Sequence, residues 1–358
     1  MKLLTYLLRF LLALVLIVAV LLNWPKGSWE QQLKNNHVPA LAYGIIENGQ
    51  LTEVKVMGEL ITGQAAPENA IFNVASVTKP VFALSVLKLI AAGNLELDEP
   101  LHPYWVDPDL IADPRHKSLT PRILLSHQSG FPNWRWLTQD GKLAFQFDPG
   151  TGYQYAGEGY EYLRLAIQEK LGLSWEQLAD SLIFQPLGMP DSRLIWDSLM
   201  PEERFARWHN SEGELYETNK REQAVASDDL MTTVRDYANF LEHVIQGANL
   251  PNELFQEMTT EQVQVNKRMG FGLGWEVVPD LPSGEYALVH GGSDMGVRAR
   301  AVVLPESGRG FIAFANGDNA QKLIDRVMVK EFGPGKALIS RMYAPFIWRI
   351  IHLPFNLF

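Results

Sequence analysis

Residues 72–80 read Phe-Asn-Val-Ala-Ser-Val-Thr-Lys-Pro, and they place a hydroxyl at Ser76 and an amine at Lys79. Residues at i and i+3 lie on one face of a helix, so these two groups can meet. An amine that loses its proton in a desolvated pocket can take a proton from the serine Oγ and create a nucleophile. The segment therefore predicts a serine activated by a lysine at the start of a helix.

A second Ser-x-x-Lys occurs at Ser85 and Lys88, so the spacing alone does not identify the nucleophile. Pro80 favours the first turn of a helix, and residues 81–92 continue as an apolar helix. Ser76 then stands at the helix start, where free N–H groups and the positive dipole end stabilise negative charge. Ser85 falls in mid-helix and is a poor candidate. The alternative for Ser76 is a plain helix cap with a solvated lysine nearby.

The composition restricts the class of protein. A chain of 358 residues with 47% hydrophobic content has ample material for a core. The formal net charge of −10, from 31 basic and 41 acidic residues, argues against a nucleic-acid binder. There are 0 cysteines, the 8 histidines show no metal-ligand spacing, and no glycine-rich nucleotide loop occurs. We therefore expect no metal, no cofactor and no nucleic-acid partner.

The N-terminus is strongly apolar. Residues 10–22 contain no polar side chain and follow Lys2 and Arg9. The run suits the core of a signal peptide, but no small-residue cleavage site follows it. Counted as residues 3–24, it reaches the length that spans a bilayer. We expect residues 1–25 to be an uncleaved single-pass anchor in the cell membrane, with the main domain outside the cytoplasm because the basic residues precede the run.

The C-terminal residues 336–358 are rich in large apolar side chains interrupted by Arg341, Arg349 and His352. This pattern resembles an amphipathic segment that lies in a membrane interface. A terminal helix packed on the domain explains it equally well, and both readings stay open.

The pattern of the remaining chain, residues 26–335, predicts one α+β domain. Two β-type runs flank Asn48-Gly49, a strong hairpin signal. Apolar residues at helical intervals indicate helices at 77–92, 121–126, 159–171, 175–184 and 233–245, and strand character returns at 272–278, 286–290, 297–304 and 311–315. We therefore expect one antiparallel sheet formed from both chain ends, an inserted helical lobe, and a ligand cleft between them.

Two further segments offer parts of a catalytic site. Tyr155 follows a Pro-Gly turn just before a helix, and it could relay protons if a nearby lysine lowered its pKa. His290-Gly291-Gly292-Ser293 ends a β-run, where glycines often mark close approach of a ligand. The Ser293 N–H can join the Ser76 N–H in an oxyanion hole. A space-filling tyrosine and a bare glycine turn are the alternatives.

The motifs together resemble the class C β-lactamase-like serine hydrolases. Those that carry the resemblance are residues 72–80, Leu-Leu-Ser-His-Gln-Ser-Gly at 124–130, Pro-Gly-Thr at 149–151 through Tyr155 to Gly159-Tyr160, His-Gly-Gly at 290–292, and segments 230–236, 270–275, 302–306 and 313–316. The family includes class C β-lactamases, D-alanyl-D-alanine carboxypeptidases, D-aminopeptidases and esterases, and it is related to penicillin-binding proteins. The resemblance covers residues 38–329 and implies the β-lactamase/transpeptidase-like fold.

The resemblance also assigns roles to particular residues. Ser76 is the acylated nucleophile, Lys79 its activating partner and Tyr155 the proton relay. His290 takes the place of the lysine in the family's Lys-Thr-Gly strand, with Gly291 and Gly292 beside the substrate, and the Ser293 N–H completes the oxyanion hole. The segment 124–130 forms the cleft floor, where His127 is structural rather than catalytic. Trp134 and Trp136 line the entrance, with surface anchoring as their competing role.

One position departs from the family pattern. The tyrosine motif usually runs Tyr-x-Asn, but Gly157 stands where the asparagine amide would contact the substrate. Without that donor the site binds the transition state of an acyl-amide substrate less tightly, so weak or no β-lactamase activity is expected. The expected activity is that of an esterase or amidase on small-molecule or peptide-like acyl substrates. A histidine at position 290, with an ordinary pKa of about 6.5, predicts poor attraction of substrate carboxylates and a KM for anionic substrates that rises through that pH. The alternatives are a catalytically idle, penicillin-recognising-type binding domain at the cell envelope and a structural membrane protein.

Overall fold

The computed structural model describes residues 27–61 and 63–351. A short helix α1 (Trp29–Asn35) precedes the hairpin of β1 (Ala40–Glu47) and β2 (Gln50–Ile61). The turn residues Asn48 and Gly49 have φ of 53° and 74°, which is the left-handed geometry that tight hairpin turns require. The predicted hairpin is confirmed.

The other elements follow in chain order. The strands are β3 (Gln64–Ala65), β4 (Phe72–Asn73), β5 (Met231–Thr232), β6 (Val263–Asn266), β7 (Met269–Phe271), β8 (Glu276–Val278), β9 (Ala287–Asp294), β10 (Val297–Leu304) and β11 (Arg309–Ala315). The helices are α2 (Thr78–Ala91), α3 (Pro121–Leu125), α4 (Gly157–Leu171), α5 (Trp175–Ala179), α6 (Val234–Ile245), α7 (Asn252–Thr259), α8 (Gln321–Glu331) and α9 (Gly335–Ile351).

Within the described residues, one sheet has 9 strands in the order β3-β2-β1-β11-β10-β9-β8-β7-β6. Its neighbouring strands are antiparallel, and β1 from the start of the domain pairs with β11 from its end, with Leu41 opposite Ala315. A second, two-stranded sheet pairs β4 with β5. The helices α2 to α7 lie in the chain between the two halves of the large sheet. These findings confirm the α+β fold, with an antiparallel sheet from both chain ends and an inserted helical lobe.

The core has a layer on each face of the large sheet. On one face the sheet packs against the helical lobe, whose centre is α2, a helix with buried residues all round its circumference. On the other face β1, β10 and β11 pack against α8 and α9 through Leu323, Val327 and Leu338. The position of α2 between sheet and lobe places the residues at its start in the cleft between them.

Only the end of the segment predicted as a strand at 272–278 is a strand, because residues 272–275 form the turn between β7 and β8 and β8 begins at Glu276. The Gly272 N–H donates to the Trp275 carbonyl at 2.8 Å, and Gly274 has φ of 88°. A Cβ on Gly272 would lie 2.4 Å from the Met258 carbonyl oxygen, so the chain must turn there without a side chain. The glycines that looked like strand residues are turn residues.

The predicted membrane anchor, residues 1–25, lies outside the described residues. No helix among residues 27–61 and 63–351 is both long and apolar enough to cross a membrane. In the C-terminal segment 336–358, the first turns of α9 pack on the domain. Leu338 is fully buried, and Ile339 and Met342 pack against the core layer between the large sheet and α8. Membrane contact by this segment stays a prediction, as does the boundary at residue 335.

Candidate active site

Ser76 lies on a tight turn, Ala75–Val77, that leads directly into α2. Ala75 has φ of 48°, a left-handed conformation that an alanine adopts only when its surroundings impose it. The surroundings do so through three hydrogen bonds to the turn. The Ala75 N–H donates to Asn73 Oδ1 at 2.7 Å, Thr78 Oγ1 donates to the Ala75 carbonyl at 2.7 Å, and the Tyr237 hydroxyl donates to the Val77 carbonyl at 2.8 Å. The serine is therefore held at a fixed, half-buried position in the cleft.

The amine of Lys79 meets the Ser76 hydroxyl, as the spacing predicted. The Nζ atom lies 3.1 Å from Ser76 Oγ and donates to the Ser227 carbonyl at 2.6 Å. Lys79 is fully buried, and burial lowers its pKa to about 8, while the charges of Asp228 and Glu161 act in the opposite direction. At neutral pH a lysine with this pKa has a minor unprotonated fraction, which grows as the pH approaches 8, and the unprotonated amine is the form that a general base requires.

Tyr155 completes the group around Ser76. A side-chain hydrogen bond joins it to Ser76, and its ring centroid lies 4.8 Å from Lys79 Nζ. The expectation that a nearby lysine lowers the tyrosine pKa is wrong. Burial dominates and raises the pKa of Tyr155 well above its usual value, although the hydrogen bond from Ser76 opposes the shift. Tyr155 therefore keeps its proton at neutral pH and is placed to donate it.

His127 fixes the segment that carries Tyr155. Its carbonyl accepts the Gln154 N–H at 2.9 Å, and its Nδ1 accepts the Ala156 N–H at 3.1 Å. The imidazole is fully buried with its centroid 4.2 Å from that of Tyr155, and burial holds its pKa well below the usual range. A neutral ring that accepts at Nδ1 carries its proton on Nε2. His127 positions the tyrosine.

Strand β9 forms the opposite wall. Its pairing with β8 ends at Val289, so residues 290–294 have a free edge, and β9 packs against the turn at Ala75–Val77. A Cβ on Gly292 would lie 2.2 Å from the Val74 carbonyl oxygen, so only glycine permits this approach. Ser293 follows at the exposed end of the strand. The strand edge therefore passes beside the nucleophile, where an oxyanion hole is needed.

Alanine substitutions at Gly292 and Gly291 test whether the close contact between β9 and the turn at Ala75–Val77 matters for activity. A general intolerance of β9 to side chains at these positions would affect both variants. Gly292→Ala is expected to displace β9 from the turn that carries Ser76 and to reduce kcat/KM for 4-nitrophenyl acetate by about 10²-fold, as a shift of ~1 Å does at a catalytic site. Gly291→Ala is the matched control, because the Cβ there would lie on the other face of the sheet, 3.4 Å from Arg300 Nη1, which is close to an ordinary van der Waals contact. Steady-state kinetics on both variants decide the matter. Equal effects would contradict the role given to Gly292.

His290 lies on the same face of β9 as Gly292, with its ring centroid 6.3 Å from that of Tyr155. Its side chain is 2% exposed and Nδ1 lies 2.9 Å from the Gly291 carbonyl. Burial, with a contribution from the Lys79 charge, lowers the pKa of His290 to about 3. The expectation of an ordinary histidine pKa near 6.5 is wrong. The KM for anionic substrates is therefore not expected to rise as the pH passes 6.5. His290 is neutral across the working range of an enzyme.

Gly157 is the first residue of α4, two residues after Tyr155. Its N–H donates to Asn133 Oδ1 at 2.9 Å, and the indole of Trp134 occupies the space that a side chain at 157 would need.

Of the residues predicted from the sequence, the structure brings Ser76, Lys79 and Tyr155 together beside the edge of β9. Gly291 faces the other side of the sheet.

Sequence reasoning missed several residues that act on Lys79. The Ser227 carbonyl accepts from Lys79 Nζ, and Glu161 Oε1 in turn accepts from the Ser227 N–H at 3.1 Å and its hydroxyl at 3.0 Å. Asp228 is buried nearby, and burial raises its pKa with help from the charge of Asp229. Adjacent acidic residues in a loop between helices give no sequence signal of this role.

The carboxylates of Asp228, Asp229 and Asp294 approach to within 4.8 Å of one another. Arg221 pairs with Asp229, so part of this negative charge is neutralised by the protein itself. Within the cluster, the charge of Asp228 acts on Lys79 and raises its pKa.

Comparison with known proteins decides the family. Residues 28–328 match the family model described as Beta-lactamase. The chain belongs to this family. It is a family of serine hydrolases, which supports a hydrolase function for this domain.

Relatives of this Beta-lactamase family chain carry names of different kinds. Esterase EstB of Burkholderia gladioli is 28% identical over 217 residues, which is 52% of this chain and 54% of the esterase. Penicillin-binding protein 4* of Bacillus subtilis is 29% identical over 210 residues, 53% of this chain and 44% of that protein. A beta-lactamase of Escherichia coli is 22% identical over 274 residues, 72% of this chain and 71% of the enzyme. The chain therefore matches about half the length of the first two relatives.

Solved structures share the fold. The octameric penicillin-binding protein homologue from Pyrococcus abyssi aligns with a TM-score of 0.73 at 22% identity, over 89% of this chain and 80% of that one. A D-stereospecific amidohydrolase from Streptomyces aligns with a TM-score of 0.68 at 20% identity, over 88% and 97%. These similarities establish the β-lactamase/transpeptidase-like architecture.

Proposed function

We propose that this chain is a serine hydrolase that works through an acyl-enzyme on Ser76, with esterase or amidase activity and weak or no β-lactamase activity. The observation that carries the proposal is the fully buried amine of Lys79 at 3.1 Å from Ser76 Oγ. A buried lysine with a lowered pKa beside a hydroxyl at a helix start has the chemistry of an activated nucleophile.

The proposed reaction uses the residues in a fixed order. Lys79 takes the Ser76 proton as Oγ attacks the acyl carbon, and the N–H groups of Ser76 and Ser293 stabilise the resulting oxyanion. Tyr155 donates its proton to the leaving oxygen or nitrogen as the bond to the acyl carbon breaks, and the proton on Lys79 replaces it. Water then attacks the acyl-enzyme by the same route in reverse and releases the acid. Each proton has a donor and an acceptor within the described site.

The proposed substrates are small-molecule or peptide-like acyl compounds without a negative charge next to the β9 wall. Gly157 offers no side-chain amide to a substrate, and neutral His290 offers no cation to a carboxylate. Esters meet these conditions more easily than penicillins, which carry a carboxylate and an acyl-amide group. The relative named as an esterase is consistent with this preference.

The test of the proposal is the intact mass of the full-length protein after incubation with a fluorophosphonate. One covalent adduct per chain is expected, since the reagent reacts with activated serines. An idle binding domain would remain at its original mass, so the same spectrum separates the enzyme from the alternative function.

We also propose that residues 1–25 anchor the chain in the cell membrane, with the hydrolase domain outside the cytoplasm. The support is the apolar run 10–22 preceded by Lys2 and Arg9. The protein is expected to sediment with membranes and to keep its N-terminal residues. Recovery of a mature form that starts near Lys26, by terminal sequencing, would contradict the anchor.

A further inference from the structure

Two tryptophans on the loop after the cleft floor stack on each other. The ring centroids of Trp134 and Trp136 are 4.4 Å apart with an interplanar angle of 14°, and Trp136 is 63% exposed. The carbons of the six-membered ring of Trp134 lie 2.8 to 3.1 Å from where a Cβ on Gly157 would be. The indole therefore fills the wall position that the missing side chain at 157 leaves open.

The loop that carries the pair is fixed to the start of α4. Arg135 lies between the two tryptophans in the sequence. Its Nε and Nη2 donate to Glu158 Oε2 at 3.0 and 2.8 Å, and its Nη2 also donates to Asp107 Oδ2 at 2.7 Å. The Glu158 and Asp107 side chains are only 5% and 3% exposed. The Glu158 N–H also donates to the Asn133 carbonyl at 3.1 Å. The stacked pair is thus preorganised, and a ligand that binds it need not order the loop.

The geometry directs the pair toward the nucleophile. Ala156 is extended, with φ of −141° and ψ of 111°, so positions 155 and 157 lie on the same side of the chain. The Tyr155 hydroxyl reaches Ser76, and the Trp134 indole lies against Gly157 on that side. The carbon edge of the indole has no hydrogen-bond donor. An acyl group attached to Ser76 therefore meets an apolar aromatic surface here instead of an amide.

We propose that Trp134 and Trp136 form the acyl-group subsite and select esters and amides of aromatic carboxylic acids. This rests on the proposed acyl-enzyme chemistry of Ser76. Flat aromatic groups pack on an indole, edge-to-face or offset-stacked, more favourably than aliphatic groups of similar size. A membrane surface is the competing occupant, but anionic lipids attract unpaired cations, and Arg135 is already bound by Glu158 and Asp107.

The test compares 4-nitrophenyl benzoate, 4-nitrophenyl cyclohexanecarboxylate and 4-nitrophenyl acetate, which share a leaving group, on the full-length protein. Trp136→Ala is expected to lower the benzoate-to-acetate ratio of kcat/KM by roughly 3- to 10-fold, the range of an aromatic stacking contact. Trp136→Phe should restore much of the ratio. Leu137→Ala is the matched control, because Leu137 lies on the same loop and is 68% exposed. It should leave the ratio unchanged.

Three results would overturn the subsite. An equal loss for benzoate and acetate would assign Trp136 to loop stability, and an equal loss for benzoate and cyclohexanecarboxylate would remove the aromatic selection. Weaker binding of Trp136→Ala to phosphatidylcholine–phosphatidylglycerol vesicles, with an unchanged substrate ratio, would assign the pair to a lipid surface.

A binding measurement separates this inference from the proposed function. The Ser76→Ala protein is expected to bind benzamide more tightly than acetamide in a calorimetric titration, and the added Trp136→Ala substitution should remove the difference. Benzamide binding without any ester hydrolysis by the wild-type protein would reject the acyl-enzyme proposal and retain the subsite. Equal binding of benzamide and acetamide by an active enzyme would reject only the subsite.

Discussion

Ser76→Ala is expected to lower the turnover of 4-nitrophenyl acetate by about 10⁴-fold or more, the scale seen when a serine hydrolase loses its nucleophile. The substitution removes the only hydroxyl that Lys79 Nζ contacts in the described structure, at 3.1 Å, so no acyl-enzyme can form there. The measurements are steady-state hydrolysis and intact mass after fluorophosphonate treatment. Both turnover and the covalent adduct should disappear.

Ser85→Ala is the matched control for this prediction, since it removes the same hydroxyl from the second Ser-x-x-Lys. Ser85 Oγ donates to the Val81 carbonyl at 3.0 Å within α2, and the side chain is 1% exposed. The variant should keep its hydrolysis and its adduct, with at most a small change in the thermal midpoint. Wild-type activity in Ser76→Ala, or loss of the adduct in Ser85→Ala, would end the proposed mechanism.

The parts of the fold that sequence predicts well are those where local chemistry and periodicity agree. The hairpin turn needs left-handed backbone at two consecutive residues, and Asn48 and Gly49 adopt this conformation readily. These two residues are therefore enough to predict the hairpin. The residues of β10 alternate between the two core layers, and its predicted span, 297–304, matches the observed strand. Short strands cannot be predicted from the periodicity of apolar residues. The strands β6 and β7 are too brief for a periodic pattern, and the two-residue pairing of β4 with β5 depends on chain segments far apart in sequence.

The candidate residues were predictable because Ser76 and Lys79 lie at a helix start and Tyr155 lies just before another helix, and the structure brings the three together. Their protonation states were not predictable, since they depend on burial that no local pattern reports. Burial raises the pKa of Tyr155, with the charges of Asp228 and Glu276 adding to the shift. Burial also lowers the pKa of His290, with the charge of Lys79 adding to the shift. Asp228 and Asn133 contact the site from loops distant in the chain.

The consequence of Gly157 likewise needed the three-dimensional structure. Sequence shows only that an amide is missing, and it leaves the space beside Tyr155 open. The structure fills that space with Trp134, which arrives from a loop held by Arg135. The absence of a side chain at Gly157 and the presence of the Trp134 indole are therefore two aspects of one arrangement.

Lys79 is expected to set the pH dependence of the reaction. With a pKa lowered to about 8, the amine is protonated below that pH and cannot accept the Ser76 proton. The kcat/KM for a neutral ester should therefore rise as pH increases toward about 8 and level off above it. His290 stays neutral because its pKa is about 3, and Tyr155 stays protonated because its pKa is raised. Neither adds a transition to the range from pH 5 to 9.

Substitutions at Lys79 and Asp228 test this assignment. Lys79→Ala should reduce turnover by about 10⁴-fold, and adding Ser76→Ala should lower it little further, because residues that act as one unit are strongly non-additive. Burial raises the pKa of Asp228 to about 8, so its carboxyl gains its charge in the same pH range in which Lys79 loses its proton. That charge raises the pKa of Lys79, and Asp228→Asn removes it, so the rising limb of the pH profile should move to lower pH. Glu253→Gln, at an exposed position on α7, is the control and should leave the limb in place. A profile that keeps its rising limb in an active Lys79→Ala protein would assign the titration, and the base, to another group.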